Sequence, residues 1–411
     1  MASSIFIKGV LASSGHTNII ITGRTISRIA PDAEPPAGAT VIDATNMAAL
    51  PSFANMHSHA PMTLLRGMGS DQPLQSWLNN YIWPAEQQLD DEAVYWGTRL
   101  ACLEMIKSGA TAFNDMYFRL PAMAQGVADS GIQALLGLNL FGDADELDRY
   151  SPTPADGIAY SVAPHSIYTV STTGLQRAVN FCQKHSMPMH IHMAETIGEV
   201  DDCQRLHGCR PFELIDRLGV LEALGPHLIA AHCLHLTESE IQLIGRHGCT
   251  VVHCPNSNLK LGSGYRFNML ELEQAGAKVT IGTDGCASSD NLCMLEASKT
   301  AILLQKGWRA DPAAINAEYI MDIATINGFN TLGIKAGRIA EGWQADMVLV
   351  DLNQAAFIPQ GNILSHYLYA AHSCSIDTVI CRGRILMQNR HVDDEETILA
   401  NARKTAQRFT V

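Results

Sequence analysis

The sequence predicts an α/β fold: a (β/α)8 TIM-type barrel with a small β-sandwich domain that is built from both chain ends. The middle of the 411-residue chain alternates short apolar segments with helical segments, a pattern typical of parallel βα units. Eight apolar segments spread over about 290 residues match the strand number and the size of such a barrel. Both chain ends contain short β-branched segments with turn residues between them.

Each predicted barrel strand is a short apolar run that ends in polar residues. The strands are predicted at residues 49–55, 112–116, 133–140, 158–164, 188–193, 228–233, 250–254 and 278–283. Helices are predicted at residues 91–107, 173–185, 210–218 and 238–247. A doubly wound sheet is the alternative, but the sequence contains neither G-x-G-x-x-G nor G-x-x-x-x-G-K-[ST], so no nucleotide-phosphate loop is indicated.

The two chain ends together predict the second domain. Strands are expected at residues 4–10, 18–22, 25–30 and 345–352, with a hairpin over 378–387 that turns at Arg382 and Gly383 and a helix from about Glu395. Because each end alone is too small to bury a core, the ends are predicted to pair into one β-sandwich. The predicted domains are 1–50 and 343–411 for the sandwich and 51–342 for the barrel.

Charge and composition exclude several classes of protein. The chain has 28 Lys+Arg against 41 Asp+Glu, a formal net charge of −13, and no basic stripe, so no nucleic-acid partner is expected. No apolar run of about 18 residues occurs, so neither a membrane span nor a secretion signal is indicated. The 11 cysteines form no C-x-x-C pair, which predicts reduced, mostly buried thiols in a cytoplasmic protein.

Histidine is concentrated where the predicted barrel strands end. Active-site residues of such barrels lie at the C-terminal ends of the strands. Five predicted strand ends carry histidine and the eighth carries aspartate: His57 and His59, His165, His190 and His192, His232, His253, and Asp284. We therefore expect these side chains to share one rim of the barrel.

The spacing of the first histidine pair indicates a metal site. His57 and His59 are two residues apart, so in a strand their side chains point the same way and can reach one cation. Strand 5 offers His190 and His192 on one face, and His192 is preferred because it lies nearer the strand end. With Asp284, three histidines leave one position for water, as in catalytic zinc sites. Iron or manganese would accept the same ligands.

A metal-bound water needs groups that manage its protons. Asp284 can orient or deprotonate the water, and Glu195, three residues beyond His192, can carry the proton to a substrate nitrogen. His232 can stabilise charge on the attacking oxygen. The sequence lacks H-E-x-x-H, G-x-S-x-G and P-C-x-x-C, so metal-assisted hydrolysis on a barrel is the reaction class that the pattern favours. The substrate does not follow from the pattern.

Longer segments resemble a known family. They are PSFANMHSHAPMTLLRG, APHSIYT, HIHMAET, AAHCLHL, VVHCPNSNLKLGSG, IGTDGCASSDN and GWQADMVLVDL, which together span nearly the whole chain. These segments resemble the amidohydrolase superfamily, in particular its aminohydrolase and chlorohydrolase branch. The narrower resemblance is to the 5-methylthioadenosine/S-adenosylhomocysteine deaminases. It implies one zinc ion held at the positions of His57, His59, His192 and Asp284.

The resemblance also implies roles for residues around the metal. Glu195 matches the family's proton-shuttling glutamate, and His232 matches its histidine on strand 6. His165 matches a histidine that contacts substrate. Glu86 matches a glutamate that binds the ribose hydroxyls, and Trp77 lies in a segment over the purine pocket.

One segment departs from the family pattern. Residues 141–157, FGDADELDRYSPTPADG, are shorter than the family's usual connection between strands 3 and 4, which carries an arginine for the carboxylate of the largest substrate. Arg149 lies in this segment, without a secure match to that arginine. The short segment weakens the case for S-adenosylhomocysteine and leaves adenosine, methylthioadenosine and 5′-deoxyadenosine open.

The sequence and the resemblance together predict hydrolytic deamination of an adenosine-like nucleoside. Water activated by zinc attacks C6, Glu195 protonates the neighbouring ring nitrogen, and ammonia leaves the inosine analogue. One alternative is a hydrolase of another heteroaromatic ring, such as a free-base or pterin deaminase or a triazine chlorohydrolase. A second alternative is a non-catalytic barrel scaffold. Family analogy also implies a homodimer or homotetramer.

Overall fold

The computed structural model describes residues 4–13, 15–142, 147 and 154–409, whose strands fall into two separate sheets. In chain order the strands are β1 (Ser4–Ala12), β2 (Gly15–Thr22), β3 (Thr25–Ala30), β4 (Thr40–Asp43), β5 (Met47–Pro51), β6 (Phe53–Ser58), β7 (Ala110–Tyr117), β8 (Gln133–Leu140), β9 (Ile158–Pro164), β10 (Met189–Met193), β11 (Leu228–His232), β12 (Thr250–His253), β13 (Lys278–Ile281), β14 (Met347–Asp351), β15 (Ile376–Cys381) and β16 (Arg384–Met387).

The first sheet is the predicted barrel. Strands β6 to β13 are parallel and pair in chain order. The backbone N–H groups of Thr283 and Asp284 donate hydrogen bonds to the carbonyl of His57, at 3.2 and 2.9 Å, and so join the segment after β13 to β6. The (β/α)8 fold is confirmed, and the C-terminal strand ends meet at one rim.

Both faces of the barrel strands are buried, as a barrel covered by helices requires. All eight residues of β8 are buried. Leu135 belongs to an interior cluster with Ala112, Val252 and Phe329, whereas the next residue, Leu136, belongs to a larger cluster that includes helix side chains. This alternation of side chains across a strand explains why the barrel strands read as continuous apolar runs.

Helices surround the barrel, and several begin at a side-chain cap. The Asp90 carboxylate accepts a hydrogen bond from Ala93 N at 2.9 Å, and the Ser171 hydroxyl accepts one from Gly174 N at 3.0 Å. The helices are Leu74–Trp77, Trp83–Glu86, Asp91–Lys107, Leu120–Ser130, Thr172–His185, Ile197–His207, Pro211–Arg217, Val220–Leu224, Glu238–Arg246, Pro255–Lys260, Met269–Ala275, Cys286–Ser289, Met294–Arg309, Ala317–Ala324, Ile326–Thr331, Ile363–Tyr369 and Glu395–Ala406.

The second sheet combines strands from both chain ends. Its order is β16-β15-β14-β5-β1-β2-β3, and β4 pairs with β1. The two ends meet where β5 and β14 pair antiparallel, with Met347 opposite Pro51. Apolar side chains of both ends, among them Ile7, Ile21 and Leu349, form a core separate from that of the barrel. The predicted assembly of the chain ends into one sandwich-like domain is confirmed.

The predicted first barrel strand, residues 49–55, is wrong, because the structure divides this segment between the two sheets. Met47–Pro51 is β5 and pairs with β14, whereas the barrel strand is Phe53–Ser58. Ser52 lies between them, buried, with its hydroxyl 2.7 Å from the Thr111 hydroxyl. Both strands are largely apolar and buried, so the apolar run continues across the junction and does not reveal it.

The cysteines agree with the sequence prediction. All 11 are described and are free thiols, and nine of them are buried. Burial raises the pKa of the Cys102 thiol to about 12, which makes it unreactive at neutral pH. Within the described ranges, no helix has both the length and the apolar character that crossing a bilayer requires.

Candidate active site

The four predicted metal ligands converge at the C-terminal rim of the barrel. Asp284 Oδ1 lies 3.1 Å from His59 Nε2 and 3.4 Å from His57 Nε2, and the Nε2 atoms of His59 and His192 are 3.3 Å apart. All four side chains are buried. Donor atoms of His57, His59 and Asp284 lie within 4.8 Å of one another, as do those of His57, His192 and His232.

Hydrogen bonds at Nδ1 orient two of these imidazoles. His59 Nδ1 lies 2.6 Å from the Met116 carbonyl oxygen, and His192 Nδ1 lies 2.6 Å from the His165 carbonyl oxygen, so both atoms carry a proton and donate. In its neutral form, each ring would therefore offer its Nε2 lone pair to a metal ion. His57 Nε2 is buried without a hydrogen-bond partner in the described part of the chain. Three imidazole nitrogens and a carboxylate fit a zinc ion, which would satisfy this atom.

His190 and His192 lie on the same face of β10 but have different surroundings. His190 is fully buried, and its Nε2 lies 2.9 Å from Nδ1 of His57. His192 instead brings Nε2 to within 3.3 Å of Nε2 of His59. This geometry favours His192 as the metal ligand from β10, the fifth strand of the barrel.

Asp284 is held as a carboxylate. Its Oδ2 accepts a hydrogen bond from the Ser257 hydroxyl at 2.6 Å, and its Oδ1 accepts one from Gly285 N at 2.8 Å. Burial opposes its ionisation, but the adjacent imidazoles of His57 and His59 hold the pKa of Asp284 well below its usual range. A charged carboxylate at this place can bind a cation or accept a proton from water.

His232 presents a hydrogen-bond donor to the site. Its Nδ1 lies 2.9 Å from Nδ2 of Asn258, and an amide nitrogen only donates. The neutral ring therefore carries its proton on Nε2, which lies 3.7 Å from Oε2 of Glu195. With the proton on Nε2, His232 can stabilise negative charge but cannot bind a metal through that atom.

Glu195 is buried at the rim, where its surroundings favour the protonated carboxyl group. It follows Ala194, whose φ of 50° lies in the left-handed region and turns the chain at the end of β10. Its Oε1 accepts a hydrogen bond from the Ser263 hydroxyl at 3.0 Å. Burial raises the pKa of Glu195, while the neighbouring His232 imidazole acts the other way. A raised pKa lets a carboxyl group hold a proton closer to neutral pH, as a general acid must.

Glu199 is a residue of the site that the sequence motifs did not single out. Its buried carboxylate accepts hydrogen bonds from the backbone N–H groups of Ala194 and Glu195, at 2.9 and 2.8 Å. A signal for it exists in the sequence, because Thr196 is the N-cap of the helix Ile197–His207 and Thr-x-x-Glu is the capping-box pattern. Glu199 thus fixes the backbone that carries Glu195.

Asp115 on β7 is a second residue that sequence reasoning missed. Its Oδ2 accepts hydrogen bonds from the Ser58 hydroxyl and from Ala60 N, both at 2.7 Å. These bonds fix the backbone on either side of His59. The only signal in the sequence is an aspartate within an apolar strand, which by itself does not identify a partner.

A cavity lies over the metal group. The cavity is lined by His59, His192 and Asp284 on the metal side and by all four residues predicted to contact substrate: Trp77, Glu86, His165 and Glu195. The structure therefore brings the predicted site residues together at one cavity.

Trp77 and Glu86 lie on a helical segment that contains one π turn, Leu78–Ile82, between Leu74–Trp77 and Trp83–Glu86. Trp77 is 4% exposed, and its Nε1 donates a hydrogen bond to the Met68 carbonyl at 3.0 Å. The indole is thus fixed as an apolar wall of the cavity. Single π turns often occur at functional sites, where they reorient the residues that follow.

Two titratable groups on the cavity wall have shifted pKa values. Burial raises the pKa of Glu86 to about 7, while the Tyr117 hydroxyl and the charge of His59 act the other way. Burial lowers the pKa of His165 to about 3, so its ring is neutral, and its Nδ1 lies 3.0 Å from the Thr169 hydroxyl. Arg149 lies outside the described residues.

Three known proteins that this chain resembles are all named as deaminases of adenosine or of related nucleosides. The chain is 39% identical over 412 residues to 5-methylthioadenosine/S-adenosylhomocysteine deaminase 1 of Archaeoglobus fulgidus, covering 96% of this chain and 95% of that protein. It is 40% identical over 415 residues to the 5′-deoxyadenosine deaminase of Methanocaldococcus jannaschii, covering 97% and 98%. A crystal structure of an adenosine deaminase from Xanthomonas campestris with bound zinc matches with a TM-score of 0.91 and 32% identity, covering 99% and 98%.

The family assignment follows from the length of these matches. Residues 48–386 match the model of the amidohydrolase family, a range that includes all eight barrel strands, β14 and all but the first residue of β5. The chain belongs to the amidohydrolase family.

Proposed function

We propose that this protein is a zinc-dependent deaminase that hydrolyses an adenosine-like nucleoside to the inosine analogue and ammonia. The observation that carries the proposal is the arrangement of one cavity. Asp284, Glu195 and His232 meet at its metal side, and Glu86 lines the same cavity. The A. fulgidus and M. jannaschii relatives are named for deamination of such nucleosides, which supports this substrate class.

His57, His59, His192 and Asp284 would hold the zinc ion, as their converging donor atoms indicate. When bound, zinc supplies a water whose pKa is lowered to about 7, and thus a nucleophile at neutral pH. Asp284 accepts one proton from the attacking water as the oxygen bonds to C6. Its ionised state, which the neighbouring histidines favour, suits it to this role.

Glu195 moves the second proton of the reaction. In the proposed step it begins protonated, a state that its raised pKa favours, and donates this proton to the ring nitrogen next to C6. Asp284 passes its proton to the amino group, which leaves as ammonia when the C6–N bond breaks. The remaining hydroxyl proton then returns to Glu195 as the C6 carbonyl forms, so that the atoms of substrate plus water equal those of product plus ammonia.

His232 stabilises the charge that develops on the attacking oxygen. Asn258 fixes the ring so that Nε2–H is the donor at the site. A hydrogen-bond donor that is already oriented needs no rearrangement in the transition state, which is why such donors contribute strongly to catalysis.

Glu86 and Trp77 support a nucleoside as the substrate rather than a free base. An ionised carboxylate accepts hydrogen bonds from two neighbouring hydroxyl groups, which a ribose offers and a free purine or a triazine does not. The buried indole of Trp77 supplies an apolar wall against which a flat base can pack. His165, held neutral by burial, completes the polar contacts of the cavity.

Three further features belong to the proposal. We assign residues 51–342 to the barrel and residues 1–50 and 343–411 to the second domain, with the division between β5 and β6 at Ser52 as the one adjustment. Free, mostly buried thiols favour a cytoplasmic location. The net charge of −13 argues against a nucleic-acid partner, and family analogy favours a homo-oligomer.

Deamination of 5′-deoxyadenosine by the purified protein tests the proposal. We expect the adenine absorbance to shift to that of the inosine analogue, with one ammonia released per nucleoside. A chelator should abolish the conversion, and added zinc should restore it. Full conversion by metal-free protein, or an intact nucleoside in the presence of zinc-loaded protein, would show that the proposed function is wrong.

A further inference from the structure

His190 is a buried histidine that the proposed reaction leaves without a role. It lies on β10, two residues before His192, and is fully buried. Its Nε2 is 2.9 Å from Nδ1 of His57, and the two rings are nearly perpendicular, with centroids 4.9 Å apart. Its other nitrogen, Nδ1, has no hydrogen-bond partner in the described ranges.

One proton lies between these two imidazoles, and its position decides whether His57 can bind a metal ion. A neutral His57 ring that binds through Nε2 carries its proton on Nδ1, and this N–H donates to His190 Nε2. His190 then carries its own proton on Nδ1. In the reverse arrangement His190 donates through Nε2, so the His57 proton sits on Nε2 and blocks coordination.

The other two histidine ligands donate to backbone carbonyl groups, which cannot become donors. His59 donates to the carbonyl of Met116 and His192 donates to that of His165, each at 2.6 Å. A carbonyl oxygen only accepts, so it fixes the proton on Nδ1 whatever the side chains around it. Among the three histidines, His57 is the one whose Nδ1 faces a side chain in the described structure.

We propose that His190 is a positioning residue that accepts the Nδ1–H of His57 and thereby prepares Nε2 of His57 to bind zinc. This inference rests on the zinc site of the proposed function. His190 does not line the substrate cavity, so it acts through His57 and not on the substrate. Loss of such an outer acceptor typically lowers metal affinity about 10–100-fold.

Three substitutions of His190 distinguish the loss of the hydrogen-bond acceptor from a change in side-chain volume. His190→Leu removes the acceptor and introduces an apolar side chain. His190→Gln can place its amide oxygen near the position of the lost Nε2, whereas His190→Asn is polar but too short to reach His57. The zinc Kd of each full-length variant is measured by competition with a chromophoric chelator. The absorption spectrum of each cobalt-substituted variant reports the coordination geometry independently of activity.

We expect the zinc Kd of His190→Leu and His190→Asn to rise about 10–100-fold and their cobalt spectra to change. His190→Gln should stay within about threefold of the wild type, because it keeps an acceptor for His57. A Kd of His190→Asn equal to that of wild type would overturn the inference, even if His190→Leu does not fold. Equal weakening by Gln and Asn would also overturn it, because the effect would then come from packing.

His253 provides the matched control. It is also a buried histidine at the end of a barrel strand, but neither ring nitrogen has a hydrogen-bond partner in the described structure, and its ring stacks on Phe267 at 4.3 Å. His253→Leu should leave the zinc Kd unchanged. Wild-type protein that binds no zinc would overturn the proposed function together with this inference. Zinc-binding wild type with unaffected His190 variants would overturn this inference alone.

Discussion

The backbone N–H of Glu195 donates a hydrogen bond to the carboxylate of Glu199, at 2.8 Å. The neighbouring N–H of Ala194 donates to the other oxygen of the same carboxylate, at 2.9 Å. One buried carboxylate therefore holds the two peptide groups that turn the chain from β10 into the site. Glu199 positions Glu195 without lining the cavity itself.

Glu199→Gln is expected to lower kcat about tenfold or more with an unchanged zinc content. The amide can accept only one of the two N–H groups, so Glu195 is held less firmly, and small displacements of catalytic groups have large effects on rate. The measurement is steady-state ammonia release. The matched control is Glu240→Gln, since Glu240 is also a buried carboxylate that accepts backbone N–H groups, at Thr237 and Phe212, away from the cavity. Equal kcat losses in both variants would contradict the positioning role.

Glu195→Gln tests the proposed proton donor. Removing the group that protonates the ring nitrogen should lower kcat about 10²–10⁴-fold, because proton transfer in the transition state contributes that much. Zinc content and the unfolding temperature should stay close to wild type, since the amide can still accept a hydrogen bond from Ser263. Retained kcat in this variant would exclude Glu195 from the chemistry.

Much of this arrangement was predictable from the sequence, and the limits have physical causes. The barrel was predictable because strands buried on both faces appear as apolar runs between helices, and the rim followed from the residues that end those runs. The junction at Ser52 could not be predicted, because β5 and β6 are both apolar and differ only in the strands with which they pair.

The supporting contacts of the site were less accessible to sequence reasoning. His57 and His190 are 133 residues apart in the chain, and their N···N contact depends on the barrel's closure. Glu86 and Trp77 followed only from the family resemblance, because a glutamate and a tryptophan on a helical segment have no distinctive pattern. Glu199 lay within a recognisable capping box, but its hydrogen bonds to Ala194 and Glu195 reach beyond that pattern.

Substrate binding is expected to depend on the ionisation of Glu86. Because burial raises its pKa to about 7, KM for ribonucleosides should fall as the pH rises through 7 and the carboxylate forms. Glu86→Gln should flatten this profile and lower kcat/KM about 10–100-fold, the effect of losing charged hydrogen bonds. A 2′,3′-dideoxy substrate should show no such dependence with either protein. Glu92→Gln, at an exposed site, is the control.

The raised pKa of Glu86 also makes the free energy of unfolding depend on pH. The folded pKa of Glu86 lies above the ordinary value of 4.5, so the folded state holds an extra proton between about pH 4.5 and 7. Its contribution to the free energy of unfolding therefore decreases as the pH rises through this window. Glu86→Gln should remove this decrease. Denaturant unfolding at pH 5 and pH 8 measures it, and an identical pH dependence in variant and wild type would contradict the assignment.

Asn258→Asp is expected to move the proton of His232 from Nε2 to Nδ1. A carboxylate at this position accepts instead of donating, so the His232 proton moves to Nδ1 and Nε2 loses its hydrogen. Loss of the donor should lower kcat about 10²–10³-fold, the usual effect of removing one such donor. Asn401→Asp, on an exposed helix face, is a charge-matched control. Wild-type kcat in Asn258→Asp would exclude His232 as the donor.

We propose that the cavity binds a ribose-bearing purine for deamination. The most direct measurement is ammonia release by zinc-loaded protein with 5′-deoxyadenosine, methylthioadenosine, adenosine, S-adenosylhomocysteine, adenine, guanine, a pterin and a chlorinated triazine. We predict kcat/KM values for the best nucleoside at least about 10²-fold above those for every ring without ribose, and a loss of that preference in Glu86→Gln. Faster turnover of adenine, guanine, the pterin or the triazine would contradict the claim and indicate a hydrolase of ribose-free rings.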